Sequence, residues 1–96
     1  MTEKQSFRLP PRFDFAYHTT FNKTCEELLS DTKSTELELD FSQVNYLDSS
    51  ALGMLVLLSK KNNAAVKAKR LTIRGARDTA LDILNMANMN TLYELV

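Results

Sequence analysis

Several residue types are scarce in this sequence, and each scarcity excludes something. Its 96 residues include no tryptophan, one cysteine, one histidine, two glycines and two prolines. A lone thiol, Cys25, forms no internal disulfide, which excludes the disulfide-built secreted scaffolds and fits a reducing compartment. His18 stands without a second histidine or a nearby cysteine, so no zinc ligand set is in view. Gly53 and Gly75 lie far apart, so there is no Gly-rich phosphate loop. No run approaches the ~18 apolar residues of a membrane span. Residues 1–20 lack the apolar stretch of a signal peptide. Formal net charge is zero, from 12 basic and 12 acidic residues, so nothing overall draws the chain to nucleic acid or to an anionic membrane. These absences predict a cytoplasmic protein that needs no cofactor and does not insert in a bilayer.

What is present is ordinary for a folded domain: 44% hydrophobic and 25% charged residues. The length suits one domain spanning 1–96. The charges are unevenly spread. Lys60, Lys61, Lys67, Lys69, Arg70, Arg74 and Arg77 fall in a stretch without an acid, and the stretch from Glu26 to Asp40 is mostly acidic. Two solvated faces of opposite sign would explain this, as would a basic edge that meets an acidic or phosphate-bearing partner.

Met1–Gln5 is polar and expected to fray. Ser6–Leu9 reads as a short strand, and Pro10-Pro11 then forbids a regular ladder. Phe13 and Phe15 alternate with Asp14 and Ala16, as in a second strand. Thr19 or Thr20 can cap a helix whose apolar stripe is Phe21, Cys25, Leu28 and Leu29, ending near Asp31. Glu36–Phe41 alternates strictly, with Leu37, Leu39 and Phe41 on one face, and Arg70–Arg74 repeats the pattern. Strands buried on both faces would be apolar throughout, so the helices belong mainly on one face. Leu47–Asn63 is the longest helix candidate. Gly75 turns the chain into a third helix with its stripe at Ala80, Leu81, Ile83, Leu84 and Ala87 and with Asp78 in its first turn, and Met86 and Met89 are expected to pack at its end. Leu92–Val96 reads as a last strand. The expectation is an α/β fold, a small mixed, mostly parallel sheet with about three helices mainly on one face.

The informative segment is Asn45-Tyr46-Leu47-Asp48-Ser49-Ser50-Ala51-Leu52-Gly53-Met54-Leu55. An acid and two hydroxyls open a helix that is apolar nearly all round. Ala51, Leu52, Leu55 and Leu58 supply one stripe, so Met54, Val56 and Leu57 are surplus and at least one should point outward, as at a protein-binding surface. Gly53 costs about 1 kcal/mol inside a helix relative to alanine, which suits a place where another backbone or a partner comes close. Plain N-capping explains Asp48-Ser49-Ser50. So does a switch: a phosphate adds ~1.5 to 2 negative charges that the helix dipole tolerates and an apolar interface does not. A catalytic serine would need a base and an oxyanion hole. Ser49 and His18 come with no third group, so the chain is not read as an enzyme. Cys25, on an apolar stripe, reads as core.

Asp48-Ser49-Ser50-Ala51-Leu52-Gly53, set between a strand ending in an acid and an apolar helix, resembles the signature of STAS domains, the family of anti-sigma factor antagonists and of the cytoplasmic domains of sulphate transporters. The resemblance covers roughly residues 6–96. Leu37–Phe41 with Tyr46-Leu47-Asp48, and Leu71–Arg74 with the helix beyond Gly75, follow the family's order. Where many members carry a Gly-Glu-Leu-Asp-like turn, this chain has Pro10-Pro11-Arg12-Phe13-Asp14. The resemblance implies phosphorylation at Ser49, with Ser50 the second choice, and a partner surface of Asp48, Ser50, Gly53, Met54 and Leu57. It implies a serine kinase partner, often an anti-sigma factor with an ATP-binding domain of the histidine-kinase type, and a metal-dependent Ser/Thr phosphatase. Other stand-alone members serve regulators of biofilm formation. The rival reading is a non-phosphorylated accessory subunit of a membrane transport complex, in which the residue after the aspartate need not be serine.

Overall fold

The computed structural model describes residues 3–96. The elements run β1 (Lys4–Arg8), β2 (Arg12–Phe13), α1 (His18–Ser30), β3 (Glu36–Asp40), β4 (Tyr46–Leu47), α2 (Ser49–Ala64), β5 (Arg70–Arg74), α3 (Asp78–Met86) and β6 (Glu94–Leu95). β1, β3, β5 and β6 form one sheet in that order, and β2 pairs with β4 in a separate two-stranded ribbon. Every ladder among the described residues is parallel, as strands joined by crossover helices require.

Alternation explains the layers. Phe7, Leu37, Leu39, Leu71 and Ile73 share one face of the sheet and are buried in a continuous core with residues of all three helices. Phe7, Phe13, Phe21 and Phe41 form its aromatic centre, with Phe13 and Phe21 ring centroids 5.3 Å apart and Phe13 meeting Phe41 edge-on at 6.0 Å. Each such ring, fully buried, contributes on the order of 2 kcal/mol.

The other face carries charge arranged by register. Lys4 pairs across to Glu36 and on to Arg70, and Arg8 across to Asp40 and on to Arg74. Acidic β3 is thus flanked by basic β1 and β5. Glu38, at its centre, accepts from Arg74 at 2.7 Å and from Lys4 at 3.2 Å. The Arg74 hydrogen bond is the main reason its carboxyl titrates below the usual range. Arg70 is paired with Glu94. This network explains why the open face needs no covering helix.

The far end of the molecule, away from the start of α2, is closed by a buried lysine. Lys69 donates from Nζ to the carbonyls of Asp31 (2.6 Å) and Ser34 (3.0 Å) and to Ser34 Oγ. Asn62 exchanges two hydrogen bonds with the Lys69 backbone, at 2.8 and 2.9 Å. One side chain therefore ties the turn after α1 to the turn after α2.

Several local expectations need correction. β1 begins at Lys4, so only Met1 and Thr2 of the segment expected to fray lie outside the described residues. Phe15 is not a strand residue: the Asp14 side chain accepts from Ala16 N at 3.1 Å and starts a 3-10 turn over Phe15–Tyr17, which leaves Phe15 exposed and stacked on His18. That turn feeds directly into α1 at His18, so neither Thr19 nor Thr20 caps it. β4 adds a strand that two residues without alternation could not signal. Met89 is buried as expected, but Met86 is 78% exposed.

Candidate functional site

β4 delivers the chain to Asp48, whose extended backbone (φ −114°, ψ −176°) makes it the N-cap of α2. Its Oδ1 accepts from Ala51 N at 3.0 Å, and its carbonyl accepts from Leu52 N at 3.2 Å. Ser49 and Ser50 are then the first two helical residues, and their amides are among those a helix start leaves without intrahelical partners. Ser49 is exposed and Ser50 is half-buried. The capping reading of Asp48 is therefore correct, and it leaves the Ser49 hydroxyl outside the cap.

At about 100° per residue, Ser49, Gly53, Leu57, Lys60 and Ala64 fall on one side of α2, and all five are exposed. Ala51, Leu55, Leu58 and Asn62 fall opposite and are buried. Of the surplus apolar residues, Leu57 is 44% exposed and points outward, Val56 is half-buried, and Met54 is buried at 7%. Met54 is thus core rather than part of an accessible surface. It takes the inward role expected of Leu52, which is only half-buried, because it sits on the flank of α2 that carries Leu58 and Lys61, and Lys61 meets Glu26 of α1. A Cβ built on Gly53 meets nothing within 4 Å among the described residues, so no neighbour among them demands a glycine there. Met54 and Leu57 should respond differently to charge. Met54→Lys should lower the melting temperature by roughly 10 °C or more, since it strands a cation in the core. Leu57→Lys should leave it within about 2 °C; equal losses in thermal denaturation would show that Leu57 is core as well.

Beside the start of α2 lies the β2–β4 ribbon, in register Arg12↔Tyr46 and Phe13↔Leu47. Phe13 and Leu47 are buried, while Arg12 and Tyr46 face outward. The Arg12 guanidinium stacks 4.3 Å above the Tyr46 ring and its Nε donates to Asp14 Oδ2 at 2.7 Å. Sequence reasoning missed this cluster. Its members are 34 residues apart, and two paired residues leave no periodic signal.

On the other side of β4, a cavity of about 350 Å³ separates the Ser42–Asn45 loop from the first turn of α3, Arg77–Ala80. Gly75 sets this junction. Its φ is +80°, and a Cβ there would sit 3.2 Å from Ser42 Cα. Gly75→Ala should therefore cost about 2 kcal/mol, visible as a shifted denaturation midpoint with an unchanged slope; an unchanged midpoint would show that the loop yields freely.

The basic stretch does not form one edge. Arg70 and Arg74 are paired on the open sheet face, Lys69 is buried, and Arg77 stands at the α3 junction, reaching the Ser42 carbonyl at 3.5 Å. Cys25 is core: burial pushes its thiol up to about 12, far from the reactive thiolate range. His18 opens α1, with Nδ1 2.9 Å from the Phe15 carbonyl. No group of three or more metal-ligating side chains gathers among the described residues. No described helix is long and apolar enough to cross a membrane.

A parallel sheet packed against three helices defines a class of domain, and the comparisons agree on that class. The chain matches the family described as "Mlab, STAS domain" over residues 3–96, and it belongs to the STAS family. It is 27% identical over 93 residues to a STAS-domain containing protein of Pseudomonas aeruginosa, covering 97% of this chain and 88% of that one. Among solved structures it is similar to a sulfate transporter family protein from Wolinella succinogenes, with a TM-score of 0.79, 13% identity, and coverage of 98% of this chain and 76% of that one. It is also similar to the anti-sigma factor antagonist SpoIIAA in its unphosphorylated form, with a TM-score of 0.64, 16% identity, and coverage of 90% and 76%. The phosphorylated form of the Bacillus SpoIIAA gives a TM-score of 0.68 at 14% identity, with coverage of 100% and 85%. At these identities the structural matches establish the fold.

Proposed function

We propose that this chain is a protein-binding module of the anti-sigma factor antagonist kind, switched by reversible phosphorylation of Ser49, and that it is not an enzyme. The observation that supports this most is the shared exposed face of Ser49, Gly53 and Leu57 on α2: a free hydroxyl, a flat spot and an apolar side chain in line. Asp48 and Ser50 flank the hydroxyl and complete the contact surface. The unphosphorylated face docks on a serine kinase, an anti-sigma factor or similar regulator with an ATP-binding domain of the histidine-kinase type. In the transfer, Ser49 Oγ forms a bond to the γ-phosphorus of ATP. The bond from that phosphorus to the bridging oxygen breaks, ADP leaves, and the hydroxyl proton passes to a base of the kinase. The helix start then holds the new charge while the apolar partner surface rejects it, and the partner is released. A metal-dependent Ser/Thr phosphatase hydrolyses the ester and restores binding. Such a module works in the cytoplasm, in partner-switching pathways that regulate transcription or biofilm formation. Affinity capture from native cells with Ser49→Ala and Ser49→Asp tests it. A serine kinase held by the first and lost by the second is the expected result. A transport ATPase held equally by both would instead make the chain a constitutive transport subunit.

A further inference from the structure

We infer that Arg12 is the counter-ion of the phosphorylated switch: once Ser49 carries phosphate, the Arg12 guanidinium leaves Asp14 and pairs with it. The inference rests on the Ser49 reading above. Arg12 and Tyr46 are paired across the β2–β4 ribbon, and Phe13 and Leu47 form its last rung. One residue beyond that rung lie Asp14 on one strand and Asp48 on the other, and Ser49 follows at once. The guanidinium already leans this way. Its Nε is 2.7 Å from Asp14 Oδ2, at the level where α2 begins, and the Tyr46 ring supports it from below at 4.3 Å.

The exchange is physically easy. The Arg12 side chain is 68% exposed, so it can turn without opening a cavity, and an exposed ion pair with one carboxylate contributes little. Asp14 keeps its second role when the guanidinium goes, because Oδ1 holds the Ala16 amide. A phosphate dianion offers more charge and more acceptors than Asp14 does, and an arginine fork can bind two of its oxygens. The need for a cation is local. Asp48 directly precedes Ser49 and Asp14 follows the last rung of the ribbon opposite it, so two carboxylates come to the level where α2 begins, and Arg12 is already paired with one of them. Arg77 and Asp78 lie across the Ser42–Asn45 loop at the start of α3. Phosphorylation would therefore change charge on two elements together, adding it at α2 and releasing the Asp14 carboxylate on the β2 corner.

The test is a ³¹P NMR pH titration of protein with phosphoserine installed at position 49 by genetic encoding, in wild-type and Arg12→Gln backgrounds, with the Arg12 Nε–H resonance followed in parallel. We expect Arg12→Gln to raise the second phosphate midpoint by roughly half a pH unit, since removing the cation disfavours the dianion, with the melting temperature unchanged. Arg12→Lys should recover part of the shift. In the wild type the Arg12 Nε–H signal should move when phosphoserine replaces serine. Equal midpoints in the two backgrounds, or an Arg12 signal indifferent to phosphate, would overturn the inference. Because the phosphate is encoded, the result does not depend on a cellular kinase. If cells never modify Ser49, the switch fails and the Arg12 measurement still stands on its own.

Discussion

Replacing Lys69 with methionine should lower the melting temperature by roughly 10 to 20 °C. The ammonium is buried and feeds three oxygens of the turn between α1 and β3. No carboxylate lies within ion-pair distance of it among the described residues, so the carbonyl oxygens are its counter-charge. Methionine fills much of the same space and donates nothing. The Asp31 and Ser34 carbonyls would be left without their partner, which costs about 1 to 3 kcal/mol for each buried group. A total near 3 kcal/mol corresponds to that shift for a domain of this size. Binding at the start of α2, at the other end of the molecule, should survive at temperatures where the variant is folded. A melting temperature within about 2 °C of wild type would show that the turn after α1 does not depend on the Lys69 ammonium.

Ser49→Asp should weaken binding to the partner captured by Ser49→Ala at least about 100-fold while leaving the fold intact. The two halves of this expectation have different causes. An acid at the first helical position meets the positive end of α2 and is stabilising by some tenths of a kcal/mol, so the melting temperature should hold or rise slightly. The same charge, pressed against an apolar partner surface beside Leu57, loses its hydration, and a penalty of about 3 kcal/mol is two orders of magnitude in affinity. Calorimetric titration with circular dichroism on the same samples checks both. An unfolded Ser49→Asp, or one that binds as tightly as Ser49→Ala, would remove the physical basis of the switch.

What could be read in the sequence was what repeats. Glu36–Asp40 and Arg70–Arg74 announce one-sided strands because each places its leucines and isoleucine on one face, and the helices appear wherever apolar residues recur every three to four positions. Asp48 is legible as a cap because capping is local chemistry. What could not be read depends on partners distant in sequence. The alternation of Phe13 and Phe15 suggests one strand, but the Asp14 side chain turns the chain between them. Met54 and Leu57 are equally apolar, and only the position of α1 decides which is inside. Arg12 and Tyr46 carry no shared signal until the ribbon brings them together. Lys69 looks like one more surface cation in a basic stretch, and its burial follows from where three carbonyl and hydroxyl oxygens of a distant turn happen to converge.

The central claim is that Ser49 is a reversible phosphoacceptor. The most direct test is intact-mass spectrometry of the protein purified from its native cells under several growth conditions, with fragmentation to place any added mass. The account predicts a phosphorylated fraction that varies with conditions, its phosphate on Ser49. A uniformly unmodified population, or a phosphate placed elsewhere with Ser49 always free, would contradict it.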